Sequence, residues 1–288
     1  MAAAKLRLLR TPVIYRETSS PRTNVRPGMH WAYRWLIGKA NRVIAQNHSA
    51  RNELASLGVP PDRIAIVSNP CPSLASLADL DDRPKPAETP LLLGVGRLAP
   101  EKGFDRLIRA FPSCLQIFSG ARLVILGDGA QRAKLEGLIQ DLDLGGSVSL
   151  PGWVDDPGPW YRKADLFVLP SHYEGQPNAL MEAIAHGCPV VCAAGKGGIV
   201  EMIEACGLDD CLVPENAFEQ SLAKRAREIL KKDGATWRRA RSRLVELAHP
   251  DTVLARYLEV CGVPAAAGFG RDPGTDRSRR GAAETETT

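Results

Sequence analysis

Apolar residues in this chain fall into two patterns. Short continuous runs alternate with longer stretches in which they recur every three or four positions. The runs read as buried strands and the periodic stretches as helices. Residues 12–15, 42–45 and 64–67 are strand candidates near the start. Between them, residues 29–40 carry Trp31, Tyr33, Trp35, Leu36 and Ile37 as an amphipathic helix. Residues 49–57 read as a helix capped by Ser49 and ended by Gly58. Residues 79–90 are polar, Pro-rich and aperiodic, as a linker is. The alternation then becomes regular. Strands are expected at 91–95, 122–126, 148–150, 164–169 and 190–194, and helices at 103–111, 130–142, 160–163, from Pro177, and near 198–205, 217–232 and 234–248. Strands alternating with helices imply a parallel sheet with crossover helices, a Rossmann-like α/β layout. The expected division is a partial first domain at 1–78, the linker, a complete second domain at 91–248, a last helix at 249–263 and a disordered tail at 264–288.

The stretch from Pro170 to Pro189 organises the second domain. It lies between two apolar runs and reads as strand, Gly-containing loop, helix, strand. Ala179, Leu180, Ala183 and Ile184 keep helical spacing, and Gly187 with Pro189 supplies the stop. Pro177 suits the first helical position, which leaves the amides of Asn178, Ala179 and Leu180 pointing out of the helix start. Such a start at the C-terminal end of a parallel strand binds anions readily. Glu174 precedes the helix, and Glu182 lies more than a turn inside it, about 7–8 Å beyond Pro177 at ~1.5 Å per residue. An anion on the amides would have one carboxylate on each side, which suits a nucleotide diphosphate with a sugar at one end and a ribose at the other. A buried helix with one solvated and one loop glutamate fits the same letters.

Three further strands end in loops of similar character. Gly94-x-Gly96-Arg97 through Lys102-Gly103 follows the strand at 91–95 and offers a guanidinium and an ammonium to a diphosphate. It is not a P-loop, because Gly-Lys-Ser/Thr is absent. Gly127-Asp128-Gly129 closes the next strand, and Gly152-Trp153-Val154 the one after, where Trp153 or Val154 can lie against a base or simply pack. These loops share the C-terminal edge where such sheets bind ligands. Two Asp-x-Asp tripeptides, Asp79-Leu80-Asp81 and Asp141-Leu142-Asp143, fall in the linker and at a helix end and read as solvated, so no metal is expected.

Composition narrows the class. A hydrophobic share of 44% and a charged share of 24% describe an ordinary globular protein. No apolar run approaches the roughly 18–20 residues of a membrane span, and the first ten residues lack the apolar core of a signal peptide. Seven scattered cysteines without a Cys-x-x-Cys pair read as buried thiols in a reducing, cytoplasmic setting. Net charge is +4, but residues 1–70 hold eleven Lys or Arg against three acids, a balance of +8. That segment suits the anionic inner face of a membrane, although an Arg-rich solvated face explains it equally. Nothing interleaves aromatic and basic residues as nucleic-acid binding requires.

Gly96-Arg97-Leu98 through Lys102-Gly103, Leu126 to Gly129, Gly152 to Val154, and Glu174-Gly175-x-Pro177-Asn178 through Glu182-Ala183, with Gly187-x-Pro189, together resemble the retaining glycosyltransferases of family 4, which have the GT-B fold. The resemblance spans about residues 12–258 and is most specific over 91–205. It implies sugar transfer from a nucleoside-diphosphate sugar, a UDP-sugar being favoured, to a glycan or lipid-linked acceptor with retention of configuration. It implies that Gly96, Arg97 and Lys102 hold the donor diphosphate with the amides of Ala179 and Leu180. Glu174 would contact the transferred sugar, Gly175, Gln176 and Asn178 would shape its pocket, Glu182 would bind the ribose, and Trp153–Val154 would meet the base. No cofactor or metal is implied. Residues 1–78 match only the last part of the family's first domain. Many relatives carry a His after the strand at 12–15, where Arg16-Glu17-Thr18 stands here, which makes Glu17 the acceptor-side candidate. His172 is expected to pack beside the strand end rather than act as a base. A non-catalytic or partner-dependent nucleotide-sugar-binding remnant is the alternative reading.

Overall fold

The computed structural model describes residues 12–18, 28–76 and 89–263. Most of the expected linker, the tail at 264–288, Asp79-Leu80-Asp81 and five of the basic residues of the first segment (Lys5, Arg7, Arg10, Arg22, Arg26) lie outside the described residues.

The first sheet is built from β1 (Ile14–Arg16), β2 (Arg42–Ala45) and β3 (Ile64–Ile66), parallel and in that order. Helix α1 (His30–Ile37) leads into β2, α2 (His48–Ser56) joins β2 to β3, and a single turn, α3 (Ser73–Ser76), follows. The cap of α2 is Asn47, not Ser49. Asn47 leaves β2 with extended backbone, and its Oδ1 accepts the Ala50 amide at 2.7 Å. The chain turns helical as soon as a side-chain acceptor is available, two residues before Ser49.

The second domain contributes, in chain order, β4 (Leu91–Val95), α4 (Phe104–Ile117), β5 (Arg122–Leu126), α5 (Arg132–Asp141), β6 (Val148–Gly152), α6 (Gly158–Lys163), β7 (Leu166–Leu169), β8 (Tyr173–Glu174), α7 (Asn178–Ala185), β9 (Val190–Ala193), β10 (Lys196–Gly197), α8 (Ile199–Ala205), β11 (Leu212–Val213), α9 (Phe218–Ile229), α10 (Gly234–Ala248) and α11 (Pro250–Cys261). A six-stranded parallel sheet runs β11-β9-β7-β4-β5-β6, while β8 and β10 form a separate parallel pair. Strands β7 and β9 are wholly buried, as a sheet covered on both faces requires. Helix α4 continues past its expected end through Pro112, because Phe111 and Cys114 extend its buried stripe. That burial outweighs the hydrogen bond that a mid-helix proline forfeits.

The strand order reverses between β4 and β7, so the crevice beyond their C-terminal ends is the switch point where open α/β sheets bind ligands. The two halves are joined twice. Helix α11 returns to the first sheet, where Val253 is buried with Ile44 and Val67 and where Tyr257 and Val260 pack. The loops after β1, β2 and β3 face the loop after β7, as described next.

Candidate active site

Lys102 ends the loop after β4, and Glu174 lies on the loop after β7. Across the switch point, Lys102 Nζ donates to both carboxylate oxygens of Glu174 at 2.8 Å. Glu174 is 7% exposed, and Ser171 Oγ donates to its Oε1 at 2.7 Å. This pair forms part of the wall of a cleft of about 400 Å³ whose lining also includes Gly96, Trp153, Val154, Gln176, Asn178, Ala179 and Glu182. Gly127 lies in the same wall, and a Cβ there would meet the Gly96 carbonyl oxygen at 1.9 Å. Only glycine lets those two strand-end loops approach so closely.

At the start of α7, Pro177 is the N-cap rather than the first helical residue. Two of the three amides expected to be open are taken. Asn178 N–H donates to the Gln176 carbonyl at 2.9 Å and Leu180 N–H to the Pro177 carbonyl at 3.0 Å. The Ala179 amide has no partner among the described residues and sits in the cleft wall. The Leu180 side chain is wholly buried. Tyr161 Oη donates to Glu182 Oε2 at 3.0 Å. Burial pushes the Glu182 carboxyl above the usual carboxylate range; the Tyr161 bond opposes this and Asp156 adds to it. Burial and the adjacent carboxylate likewise hold the Tyr161 hydroxyl well above its ordinary value.

Lys102 reaches the cleft, but Arg97 turns away from it. Its guanidinium is 70% exposed and pairs with Glu101 at 2.6 Å. Trp153 stands at the rim, 75% exposed, with its indole N–H on Asp155 at 3.2 Å. Asp141 and Asp143 are exposed at the end of α5, away from the cleft lining. His172 pairs with Glu215 at 2.6 Å beside the strand end, outside the cleft lining. Glu17 is buried on the side of the first sheet, where its carboxylate accepts from Tyr15 Oη at 3.0 Å, from Tyr33 Oη and from the Thr18 amide at 3.1 Å. Six of the seven cysteines are buried, and burial lifts the Cys71 thiol to about 11 and the Cys114 thiol to about 12.

The first domain supplies residues that sequence reasoning missed. Asn47 Nδ2 donates to the Gly175 carbonyl. Gln176 Nε2 donates to Ser68 Oγ at 2.8 Å, and Asn69 Nδ2 to Asn178 Oδ1 at 2.9 Å. His48 reaches Glu201 through its amide and through Nδ1, the latter at 2.6 Å. The sugar-pocket candidates Gly175, Gln176 and Asn178 are thus each held from across the crevice. A polar cluster near the end of two first-domain strands was the available signal: Gln46-Asn47-His48 after β2 and Ser68-Asn69 shortly after β3.

Comparison with known proteins agrees with this geometry. Residues 78–248 match the family described as Glycosyl transferases group 1, and residues 1–72 match Glycosyltransferase Family 4. The lipopolysaccharide core biosynthesis glycosyltransferase LpsE of Rhizobium meliloti is 33% identical over 159 residues, which are 50% of this chain and 46% of that one. A GDP-mannose-dependent alpha-(1-6)-phosphatidylinositol monomannoside mannosyltransferase of Mycobacterium tuberculosis is 33% identical over 156 residues, 51% of this chain and 39% of that one. The chain spans less than half the length of these relatives. Among solved structures, Anabaena HepE in complex with UDP superposes with a TM-score of 0.75 at 18% identity, covering 91% of this chain and 74% of that one. Staphylococcus aureus TarM gives 0.70 at 21% identity, covering 87% and 50%. The chain belongs to the group 1 glycosyl transferases and has their GT-B fold.

Proposed function

We propose that this chain transfers a sugar from a nucleoside-diphosphate sugar, with a UDP-sugar favoured, to a glycan or lipid-linked acceptor with retention of configuration. The observation that carries the proposal is the Lys102–Glu174 pair at the switch point, beside the open Ala179 amide and with Glu182 in the same cleft. A diphosphate leaving group gains negative charge as the C1–O bond of the sugar breaks. In this reading Lys102 and the Ala179 amide are the donors that meet that charge, and preorganised donors of this kind can stabilise it without a metal. Glu174 then touches the transferred sugar, Glu182 accepts from the ribose hydroxyls, and Trp153–Val154 meets the base. Arg97 joins the diphosphate by leaving Glu101, an exposed pair worth only about 0.2–1 kcal/mol. Glu17 would serve the acceptor side, and the carbonyl of its neighbour Thr18 packs against Gly175. A relative acting with GDP-mannose and structures holding UDP support a nucleotide-sugar donor without choosing its base.

Titration calorimetry with UDP- and GDP-sugars in EDTA tests this reading. Heat from one donor class is expected. Folded protein that takes up none of them would overturn it.

The acceptor side also bears on location. Helix α1 exposes Trp31 (72%) and Trp35 (54%) beside Met29, and Lys39 lies over the Trp35 ring at 5.1 Å. No helix among the described residues is long and apolar enough to cross a membrane. A basic, aromatic surface suits peripheral docking on an anionic bilayer, which would bring a lipid-linked acceptor to the cleft. Co-sedimentation with anionic vesicles is expected at ~0.1 M salt and should be lost near 1 M, where the Debye length falls to about 3 Å. Equal binding to neutral vesicles would overturn the electrostatic part.

A further inference from the structure

The Lys102–Glu174 pair depends on two loops from different strands keeping one separation. Both loops close on a single atom, the carbonyl oxygen of Pro170, the residue after β7. From one side, Gly103, next to Lys102, packs so near that a Cβ would lie 2.3 Å from that oxygen. Gly103 has φ +64°, the left-handed region that glycine adopts without strain. From the same side, Arg106 on the first turn of α4 donates its Nε to that oxygen at 2.6 Å, with the Nε 2.9 Å from the same Cβ position.

Arg106 is itself fixed. It is 6% exposed, its guanidinium lies over the Phe218 ring at 4.8 Å, and Nη1 pairs with Glu215 Oε1 at 2.9 Å. Glu215 also holds His172 Nδ1, and the His172 amide donates to the Glu101 carbonyl at 2.9 Å. The segment 170–172 is therefore pinned at Pro170 and at His172, and it leads directly to Ser171 and Glu174. A buried guanidinium with a carboxylate partner, an aromatic face and a main-chain acceptor is costly to assemble unless its geometry is used. No atom of Arg106 lines the cleft.

We propose that Arg106 is a positioning residue for the transfer site: its clasp on the Pro170 carbonyl sets the distance between Lys102 and Glu174. The proposal rests on the glycosyltransferase reading for its catalytic consequence and on geometry alone for its structural one. A loop displaced by about 1 Å can cost on the order of 100-fold in rate while the nucleotide stays held elsewhere, here by Glu182 and α7.

Two variants disturb the clasp in different ways. Arg106→Met removes the donor, and Gly103→Ala pushes the acceptor with a methyl group. The first readout is acylation of individual lysines by an N-hydroxysuccinimide ester, followed by peptide mass spectrometry. In wild type, Lys102 should react slowly because Glu174 holds it. Both variants should raise Lys102 acylation several-fold and leave exposed Lys163, on α6, unchanged. The second readout is transfer or donor hydrolysis with UDP-glucose and GDP-mannose. With whichever is turned over, kcat should fall about 10- to 100-fold with a smaller change in KM. Arg106→Lys, which keeps the charge and one contact, should recover part of both signals, and it stands in if Arg106→Met does not fold. Unchanged Lys102 acylation in folded variants, or an equal rise at every lysine, would overturn the clasp. The acylation result holds whether or not the chain turns over sugar, so failure of the clasp and failure of the enzyme reading are distinguishable.

Discussion

The two glutamates stand on either side of the start of one helix, and the proposed roles divide accordingly. Glu174 lies above the α7 start and is paired, whereas Glu182 is half-buried further down the helix with a tyrosine hydroxyl as its hydrogen-bond donor. A contact that strengthens only as the sugar becomes oxocarbenium-like lowers kcat when removed, whereas a uniform ribose contact raises KM. Steady-state kinetics should therefore show Glu174→Gln lowering kcat about 100-fold or more. Glu182→Gln should chiefly raise donor KM, by about 10- to 100-fold if the lost bond is worth ~1.5–3 kcal/mol. The reverse pattern would mean that the roles are exchanged. Glu182 also sets a pH signature. Because burial raises its folded value above 4.5, the fold prefers the protonated form. Its stabilising contribution is full below 4.5 and is lost as pH rises through the folded value. At pH 7 the ionised carboxylate thus costs the fold stability. Glu182→Gln should raise the melting temperature at pH 7, raise it less at pH 4, and remove the acid limb of kcat/KM. A variant that melts below wild type at pH 7 would contradict this.

At the scale of elements, what the sequence revealed followed burial. The runs at Arg42–Ala45, Leu91–Val95 and Arg122–Leu126 are strands residue for residue, because each is apolar and sharply bounded by polar or glycine positions. Helix starts were misjudged at Asn47 and Pro177, where the backbone turn selects the cap and letters alone offer several candidates. The two-residue strands β8, β10 and β11 carry no period to read. The site was legible as a set of loops, since every donor-side candidate falls after a strand of the second sheet or at the α7 start. Side-chain direction was not: Lys102 and Arg97 share one loop, yet only Lys102 faces the cleft. The partners Ser171 and Tyr161 were equally hidden, because contacts across 3 or 21 residues leave no local pattern. Close loop packing makes a separate demand. Gly127→Ala would drive a methyl group into the Gly96 carbonyl at φ +132°, where an L side chain is strained as well. Urea denaturation should show a net loss of about 1–3 kcal/mol, because the clash and strain outweigh the gain from alanine's lower unfolded-state entropy. A midpoint equal to that of wild type would show that β4 and β5 can separate without cost.

For the whole molecule, the halves are joined by the apolar patch under α11 and by polar contacts across the crevice rather than by a continuous core, since the first and second sheets have separate hydrophobic clusters. Asn47 is the most economical of these contacts, because one side chain serves both halves. Its Oδ1 caps α2 at the Ala50 amide, and its Nδ2 reaches the Gly175 carbonyl beside Glu174. The two roles separate by substitution. Serine caps helices nearly as well as asparagine but is too short to span the crevice, whereas alanine does neither. Asn47→Ser should therefore melt close to wild type while donor KM rises, because the sugar-pocket loop loses its first-domain anchor. Asn47→Ala should add a stability loss of about 1 kcal/mol on top of the same kinetic change. Thermal melts and donor titrations of the two variants side by side decide the matter. If Asn47→Ser binds and turns over donor as wild type does, the first domain does not tune the donor pocket through this residue. The contact would then serve only to hold the closed arrangement. If both variants shift donor KM equally and differ only in melting, the first domain is a working wall of the donor site as well as the side that faces the acceptor.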